Sequence, residues 1–166
     1  KDDWVASHFT IENKKLNKYS FVNHNKQKNN IESEYELLGV SPLFRYMEYS
    51  SGSEGHVPHY DAPYEYSDDT LSLMTGILYF STSDTGSTYF LPKEAQQIDT
   101  PMLDRNTEDW KEHYPDLVQC THVLPEKGKI LLFDHQLAHG VSPFTSSNPN
   151  DKRIIIRFDL IYKRVS

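Results

Sequence analysis

The run Arg153-Ile154-Ile155-Ile156-Arg157-Phe158-Asp159-Leu160-Ile161-Tyr162 carries the reading of the fold. In an extended chain successive side chains point to opposite faces. Ile154, Ile156, Phe158 and Leu160 therefore share one face, and Arg153, Ile155, Arg157 and Asp159 share the other. One face is wholly apolar, while the second holds two arginines and an aspartate. An ordinary surface strand has no use for that combination. It suits a small barrel or sandwich in which one face meets the core and the other lines a polar cavity.

The sequence around this run has the same texture. Short segments rich in β-branched and aromatic residues alternate with Gly, Pro, Ser and Asp clusters, which predicts strands at about 43–49, 56–61, 71–81, 86–91, 129–134, 139–143 and 153–162. The class is mainly β. Residues 1–42 read as a helical or irregular flanking segment, with a polar loop from Asn23 to Asn30. An insertion at about 93–121 interrupts the strands; it contains Pro101, Pro115 and a short helix over Thr107–His113 with Thr107 as its cap. Insertions of this kind form a rim or lid over a site. The 166 residues are expected to make one domain, with its core at 43–162.

Charge and cysteine usage exclude some functions. A net charge of −7 argues against binding a phosphate backbone, which needs an excess of Lys and Arg. The single cysteine, Cys120, rules out an intramolecular disulfide and a cysteine-based zinc cluster. A lone thiol fits a reducing compartment, and no apolar run approaches the length of a membrane span. The expectation is an intracellular protein, cytoplasmic or otherwise, with neither nucleic acid nor membrane as partner.

Chemistry enters at His59-Tyr60-Asp61, the only His-x-Asp pattern among eight histidines. Residues two apart on a strand face the same side, so this imidazole and carboxylate can grip one metal ion together. Downstream, His139 follows the apolar run Ile130–Phe133, and Arg153 comes fourteen residues later. Two histidines and one carboxylate leave a face of an octahedral ion open, the arrangement of non-heme iron(II) oxygenases. A cosubstrate with a distal carboxylate would call for an arginine fork, for which Arg153 is a candidate. His135 is an alternative to His139, and Arg157 is a rival to Arg153 on the same strand face.

In this order His59-x-Asp61, Gly86-Ser87-Thr88-Tyr89-Phe90-Leu91-Pro92, Lys127-Gly128-Lys129-Ile130-Leu131-Leu132-Phe133, His139 and Arg153 resemble the Fe(II)/2-oxoglutarate-dependent dioxygenases, most of all the prolyl 4-hydroxylase-like branch. The resemblance covers about residues 43–162. It implies a double-stranded β-helix, or jelly roll, with iron(II) on His59, Asp61 and His139. It also implies 2-oxoglutarate, with its distal carboxylate on Arg153 and the hydroxyl of Tyr79, and with Tyr49 alongside. Arg157 would serve the cosubstrate's other end or a substrate anion, and L-ascorbate belongs to the cofactors the branch allows.

The implied reaction consumes O₂ and hydroxylates an unactivated C–H of a prolyl or other amino-acid-like group, free or in a peptide, releasing succinate and CO₂. The interval from His139 to Arg153 and the 93–121 insertion are longer than that branch shows, which leaves the substrate open. Beside it stand a zinc hydrolase built on the same two histidines and one carboxylate and two further alternatives. One is an oxygenase acting on a different kind of small molecule. The other is a cupin-like module that holds a metal or small anion without turnover.

Overall fold

The computed structural model describes residues 18–22, 32–91 and 120–165. In chain order its strands are β1 (Lys18–Val22), β2 (Glu32–Val40), β3 (Arg45–Ser50), β4 (His56–His59), β5 (Glu65–Ser67) and β6 (Thr70–Tyr79), followed by β7 (Thr88–Phe90), β8 (Thr121–Val123), β9 (Ile130–Asp134), β10 (His139–Val141) and β11 (Lys152–Arg164). All their pairings are antiparallel. Two long strands, β6 and β11, form the middle of the larger sheet. β3 and then β2 pair with successive halves of β11, and β9 pairs with β6.

The smaller sheet runs β4-β10-β7-β8. From β3 onward the chain passes back and forth between the two sheets, so that β3, β6, β9 and β11 face β4, β7, β8 and β10. This is a double-stranded β-helix, the jelly roll. The two layers meet where Phe90 of β7 packs on Phe133 of β9, with ring centroids 5.1 Å apart.

The register decides which face of β11 looks inward. Ile155, Arg157 and Asp159 lie opposite Tyr79, Ile77 and Thr75 of β6. Ile155, Ile77, Tyr79 and Phe133 make one buried cluster, with Met47, Tyr49, Phe90 and Leu131 packed against it. The arginine-bearing face is therefore the inside of the barrel. The wholly apolar face lies on the back of the larger sheet, where Phe158 and Leu160 are buried with Met74 and Tyr35 while Ile154 and Ile156 are half-covered. Gly76 belongs to that back face for a steric reason: a Cβ there would stand 2.3 Å from the Phe158 ring.

The N-terminal flank departs from expectation. Its described parts are strands rather than helical or irregular chain: β1 pairs with β2, and β2 with the end of β11. The cause is a period of two that the acidic residues conceal. Glu34 and Glu36 are exposed, while Tyr35 is buried in the back-face cluster and Leu37 packs against it. The short strands β5 and β8 also lie outside the predicted set. Of the insertion, residues 92–119, including the predicted helix at Thr107–His113, lie outside the described residues. Among the described residues no helix is long and apolar enough to cross a membrane.

Candidate metal centre and anion pocket

His59 ends β4 and stands directly opposite His139, which begins β10. Their rings are 4.5 Å apart. β4 is an edge strand, which is why it tolerates the buried Pro58 just before the histidine. Each imidazole is fixed by its own chain. His59 Nδ1 donates to Val57 O at 2.9 Å, and His139 Nδ1 donates to Leu137 O at 2.8 Å. A carbonyl only accepts, so both rings carry their proton on Nδ1 and turn a free Nε2 lone pair inward, as metal-ligating histidines do. Burial, the largest influence, lowers the pKa of His139 to about 4, so its ring is neutral at neutral pH.

Asp61 arrives by a different route than the sequence predicts. The strand does not run on to residue 61; β4 stops at His59. Asp61 crosses toward the larger sheet, where its N–H donates to His135 O at 3.2 Å. The grip of His59 and Asp61 therefore comes from a chain crossing between sheets, not from the alternation of one strand. The larger sheet then holds the carboxylate: Thr75 Oγ1 donates to Oδ2 at 2.6 Å, and Arg157 Nη2 lies 2.8 Å from Oδ1. Burial pushes the Asp61 carboxyl up most strongly, but Arg157, the Thr75 hydroxyl and the nearby histidines together outweigh it. The group ends below the usual carboxylate value and is ionised at neutral pH.

Three donors thus converge. His59 Nε2 is 3.9 Å and His139 Nε2 3.6 Å from the Asp61 oxygens, and one ligand atom from each residue lies within 4.8 Å of the others. One ion can bridge such a span with ordinary nitrogen and oxygen bond lengths. Phe133 closes one side, its ring 4.5 Å from that of His139 in an edge contact.

The second locus lies at the start of β11. Arg153 is completely buried, and none of its three guanidinium nitrogens makes a hydrogen bond of good geometry, although the Tyr49 and Tyr79 hydroxyls lie close enough to feel its charge. Tyr49 sits directly across on β3 with its ring 4.8 Å from the guanidinium carbon; the Tyr79 ring is 5.8 Å away. Tyr79 shares a 2.9 Å hydrogen bond with Thr88 Oγ1. Burial raises the pKa of both tyrosines, so both hydroxyls keep their protons at neutral pH. Gly86, at φ +67°, makes room: a Cβ there would stand 2.9 Å from Arg153 Cδ. A buried, unpaired guanidinium is costly, and an anion is what would relieve it.

The remaining candidates separate. Arg157, the rival to Arg153, is committed to Asp61 and lies 3.8 Å from Asp159. His135 is buried beside Asp159 at 3.7 Å and stands outside the three-donor group. His56 meets the Tyr49 hydroxyl and His122 meets Ser87. Thr75 and Thr88 were missed by sequence reasoning. The available signal was position: Thr75 is a hydroxyl inside the apolar run Leu71–Leu78, four residues before Tyr79 and so on its face.

Comparisons with known proteins find a family and several solved structures to which this chain is similar. A family model described as phytanoyl-CoA dioxygenase (PhyH) matches residues 6–153. No curated protein matches. Among solved structures, HygX from Streptomyces hygroscopicus with nickel and 2-oxoglutarate bound is 15% identical, with a TM-score of 0.49 over 78% of this chain and 56% of that one. Its form that also holds hygromycin B gives the same values. AviO1 from Streptomyces viridochromogenes Tue57 is 12% identical, with a TM-score of 0.47 over 95% of this chain and 78% of that one. The chain spans about half the length of HygX.

Proposed function

Since the chain belongs to the phytanoyl-CoA dioxygenase (PhyH) family, within the Fe(II)/2-oxoglutarate dioxygenase superfamily, we propose that it hydroxylates an unactivated C–H bond using iron(II), 2-oxoglutarate and O₂, with release of succinate and CO₂. The observation that carries the proposal is the pairing of the two loci. Three metal-type donors sit in one corner of the barrel, and the buried Arg153 sits on β11, the strand that also carries Arg157, the partner of Asp61.

The donor set fits iron(II). Two neutral imidazoles with free Nε2 atoms and one ionised carboxylate are the ligands of the facial triad. His59, Asp61 and His139 would hold the ion, and Mn, Co, Ni or Zn would replace it in purified material. When bound, iron(II) with 2-oxoglutarate supplies the oxidising chemistry: O₂ takes two electrons from the cosubstrate as it loses CO₂, and two from the substrate C–H. Arg153 would anchor the distal carboxylate through charge-assisted hydrogen bonds, with Tyr79 donating a neutral one and Tyr49 flanking the guanidinium. Phe133, edge-on to His139, and Phe90, tilted beside it, would keep water from that side of the ion.

The substrate we propose is a prolyl or other amino-acid-like group. The support is the resemblance of the sequence to the prolyl 4-hydroxylase-like branch; Tyr49 and Tyr79, which that resemblance implies beside the cosubstrate, have their rings 4.8 and 5.8 Å from the Arg153 guanidinium. The family description favours a second reading, hydroxylation of a small molecule of another kind.

The test is succinate formation by anaerobically purified protein supplied with Fe(II), 2-oxoglutarate and air. Proline-containing peptides, free amino acids and other small molecules follow as stimulants, with the gain of one oxygen atom read by mass spectrometry. Failure to bind 2-oxoglutarate or form succinate would leave the non-catalytic cupin-like module. Succinate formation that only non-amino-acid compounds stimulate would replace the substrate and keep the oxygenase.

A further inference from the structure

Two polar side chains beside the metal corner, His135 and Asp159, have no task in the reaction as described, and a third, Arg157, holds Asp61 through Nη2 alone. His135 is buried with neither ring nitrogen hydrogen-bonded, Asp159 keeps Oδ1 buried and unbonded, and Arg157 keeps Nε in the same state. They form a chain of contacts. His135 Nε2 lies 3.7 Å from Asp159 Oδ1, that oxygen lies 3.8 Å from Arg157 Nη2, and Nη2 lies 2.8 Å from Asp61 Oδ1. The backbone closes the ring, since the Asp61 N–H donates to His135 O.

The charges in this ring create a conflict that Asp159 resolves. Arg157 holds Asp61 in place, but it also spends part of the negative charge on which metal affinity depends. With a divalent ion bound, Asp61 would stand between two cations. Arg45 lies across the sheet from Arg157 and adds a third positive charge in that register, while Thr75, across from Asp159, is neutral. Asp159 touches the same Arg157 nitrogen as Asp61 does, and so offers the guanidinium a second carboxylate. A buried carboxylate with an unbonded oxygen is unfavourable unless a cation compensates it. Its position beside Arg157 and His135 is accounted for by that compensation.

We infer that Asp159, backed by the His135 ring, is a positioning residue that balances the charge of Arg157 so that the guanidinium orients Asp61 without competing with the metal ion for it. The inference rests on the metal-centre reading above. It concerns affinity for the ion and calls for no further chemical step.

The experiment titrates Co(II) into metal-free protein, read by visible absorption and calorimetry, with thermal melts to monitor folding. Loss of an outer partner of a metal ligand lowers metal affinity by about 10- to 100-fold. Asp159 acts one contact further out, through Arg157, so Asp159→Asn is expected at the low end, about tenfold, while Asp159→Glu keeps the charge and should stay within about threefold of wild type. The double variant Arg157→Gln/Asp159→Asn should bind Co(II) more tightly than Asp159→Asn alone, because the competing cation has gone too. A purely structural role would instead make the double variant the weaker binder.

Wild-type affinity in Asp159→Asn overturns the inference. So does an Asp159→Glu variant as weak as the asparagine one, or a double variant no tighter than the single. If Asp159→Asn does not fold, the glutamate variant decides alone, and a loss of tenfold or more there overturns the inference. Wild-type protein that binds no Co(II) overturns the metal centre and this inference together. Wild-type binding with an unaffected Asp159→Asn overturns the inference alone.

Discussion

The inner face of β11 carries two arginines in opposite circumstances. Arg157 meets a carboxylate at 2.8 Å and helps to hold it, while Arg153, four residues earlier, is more deeply buried and makes no hydrogen bond of good geometry. One strand, one face and one residue type thus give an arginine with a carboxylate partner and an arginine without one. The difference separates an arginine that the chain pairs with its own carboxylate from one that, on the proposed function, meets the carboxylate of a ligand. Around Asp61 both carboxylate oxygens are engaged before any ion arrives. Around Arg153 two aromatic rings flank the guanidinium, and Gly86 leaves the space that its side chain fills, but no carboxylate of the described residues pairs with it.

The comparison breaks most completely at the metal end. His59→Ala should abolish stoichiometric iron binding and turnover while the fold survives, because the ring lies on an edge strand and its Nδ1 bonds only to Val57 O. Asp61→Ala should do the same with an added loss of stability, since it strips Arg157 of its nearest carboxylate. Metal analysis and melting curves check both. Full iron content and activity in the two variants would remove the assignment.

Acid should act on the same corner next most strongly. The folded pKa of His139, about 4, lies below the ordinary imidazole value of 6.5. Between these values the unfolded chain holds a proton that the folded chain refuses, so stability falls as pH drops through this range. The shift corresponds to about 3 kcal/mol, complete only below pH 4. Asp61, whose pKa is also lowered, adds a loss in the same direction below the usual carboxylate range. Urea melts of metal-free protein across pH 4–7 measure it. Replacing His139 with Gln should flatten the upper part of the curve.

What the sequence disclosed, and what it hid, follows the same division. The alternation of residues 153–162 separated Arg153, Ile155, Arg157 and Asp159 from the apolar face, and the structure puts that set inside the barrel. His59, Asp61 and His139 are legible because their order along the chain is informative, and they converge. The route of Asp61 is not legible, since the end of β4 depends on a hydrogen bond to His135 more than seventy residues away. The fates of the two arginines are hidden for the same reason. Spacing makes them equivalent, and only the carboxylate brought in by the crossing chain tells them apart. β2 was hidden by its glutamates, which occupy the exposed half of an alternation whose other half holds Tyr35 and Leu37.

At the other locus, Arg153→Ala should weaken 2-oxoglutarate binding by about 10- to 150-fold, the equivalent of a charge-assisted hydrogen bond of roughly 1.5–3 kcal/mol. Arg153→Met sharpens the contrast from the opposite side. Removing an unpaired buried charge in favour of a similar volume of apolar atoms should raise the melting temperature of the ligand-free protein while abolishing tight cosubstrate binding. The same exchange at Arg157 should lower the melting temperature, because it leaves Asp61 buried and without its cation. Equal effects at both positions would mean that the two arginines do not differ as the structure presents them. A large loss of 2-oxoglutarate binding in Arg157→Ala, with none in Arg153→Ala, would exchange their roles.

The smallest expected effect falls on Tyr79. Its hydroxyl is a neutral donor, already sharing a 2.9 Å hydrogen bond with Thr88 Oγ1, and burial keeps it protonated. To serve a carboxylate on Arg153 it either turns from Thr88 or accepts from Thr88 and gives its own proton to the carboxylate, and in both cases the donor is uncharged. A net hydrogen bond of this kind contributes roughly 0.5–1.5 kcal/mol, so Tyr79→Phe should weaken 2-oxoglutarate about 2- to 12-fold. Thr88→Val tests the division of labour further. If Thr88 acts mainly by orienting the Tyr79 hydroxyl, its removal should cost no more than Tyr79→Phe, and the double variant should cost little beyond either single one. Additive losses would instead mean that Thr88 meets the carboxylate in its own right. Calorimetric titration of 2-oxoglutarate into the Mn(II)-loaded variants, with Arg153→Ala as the reference for a large effect, distinguishes the two cases.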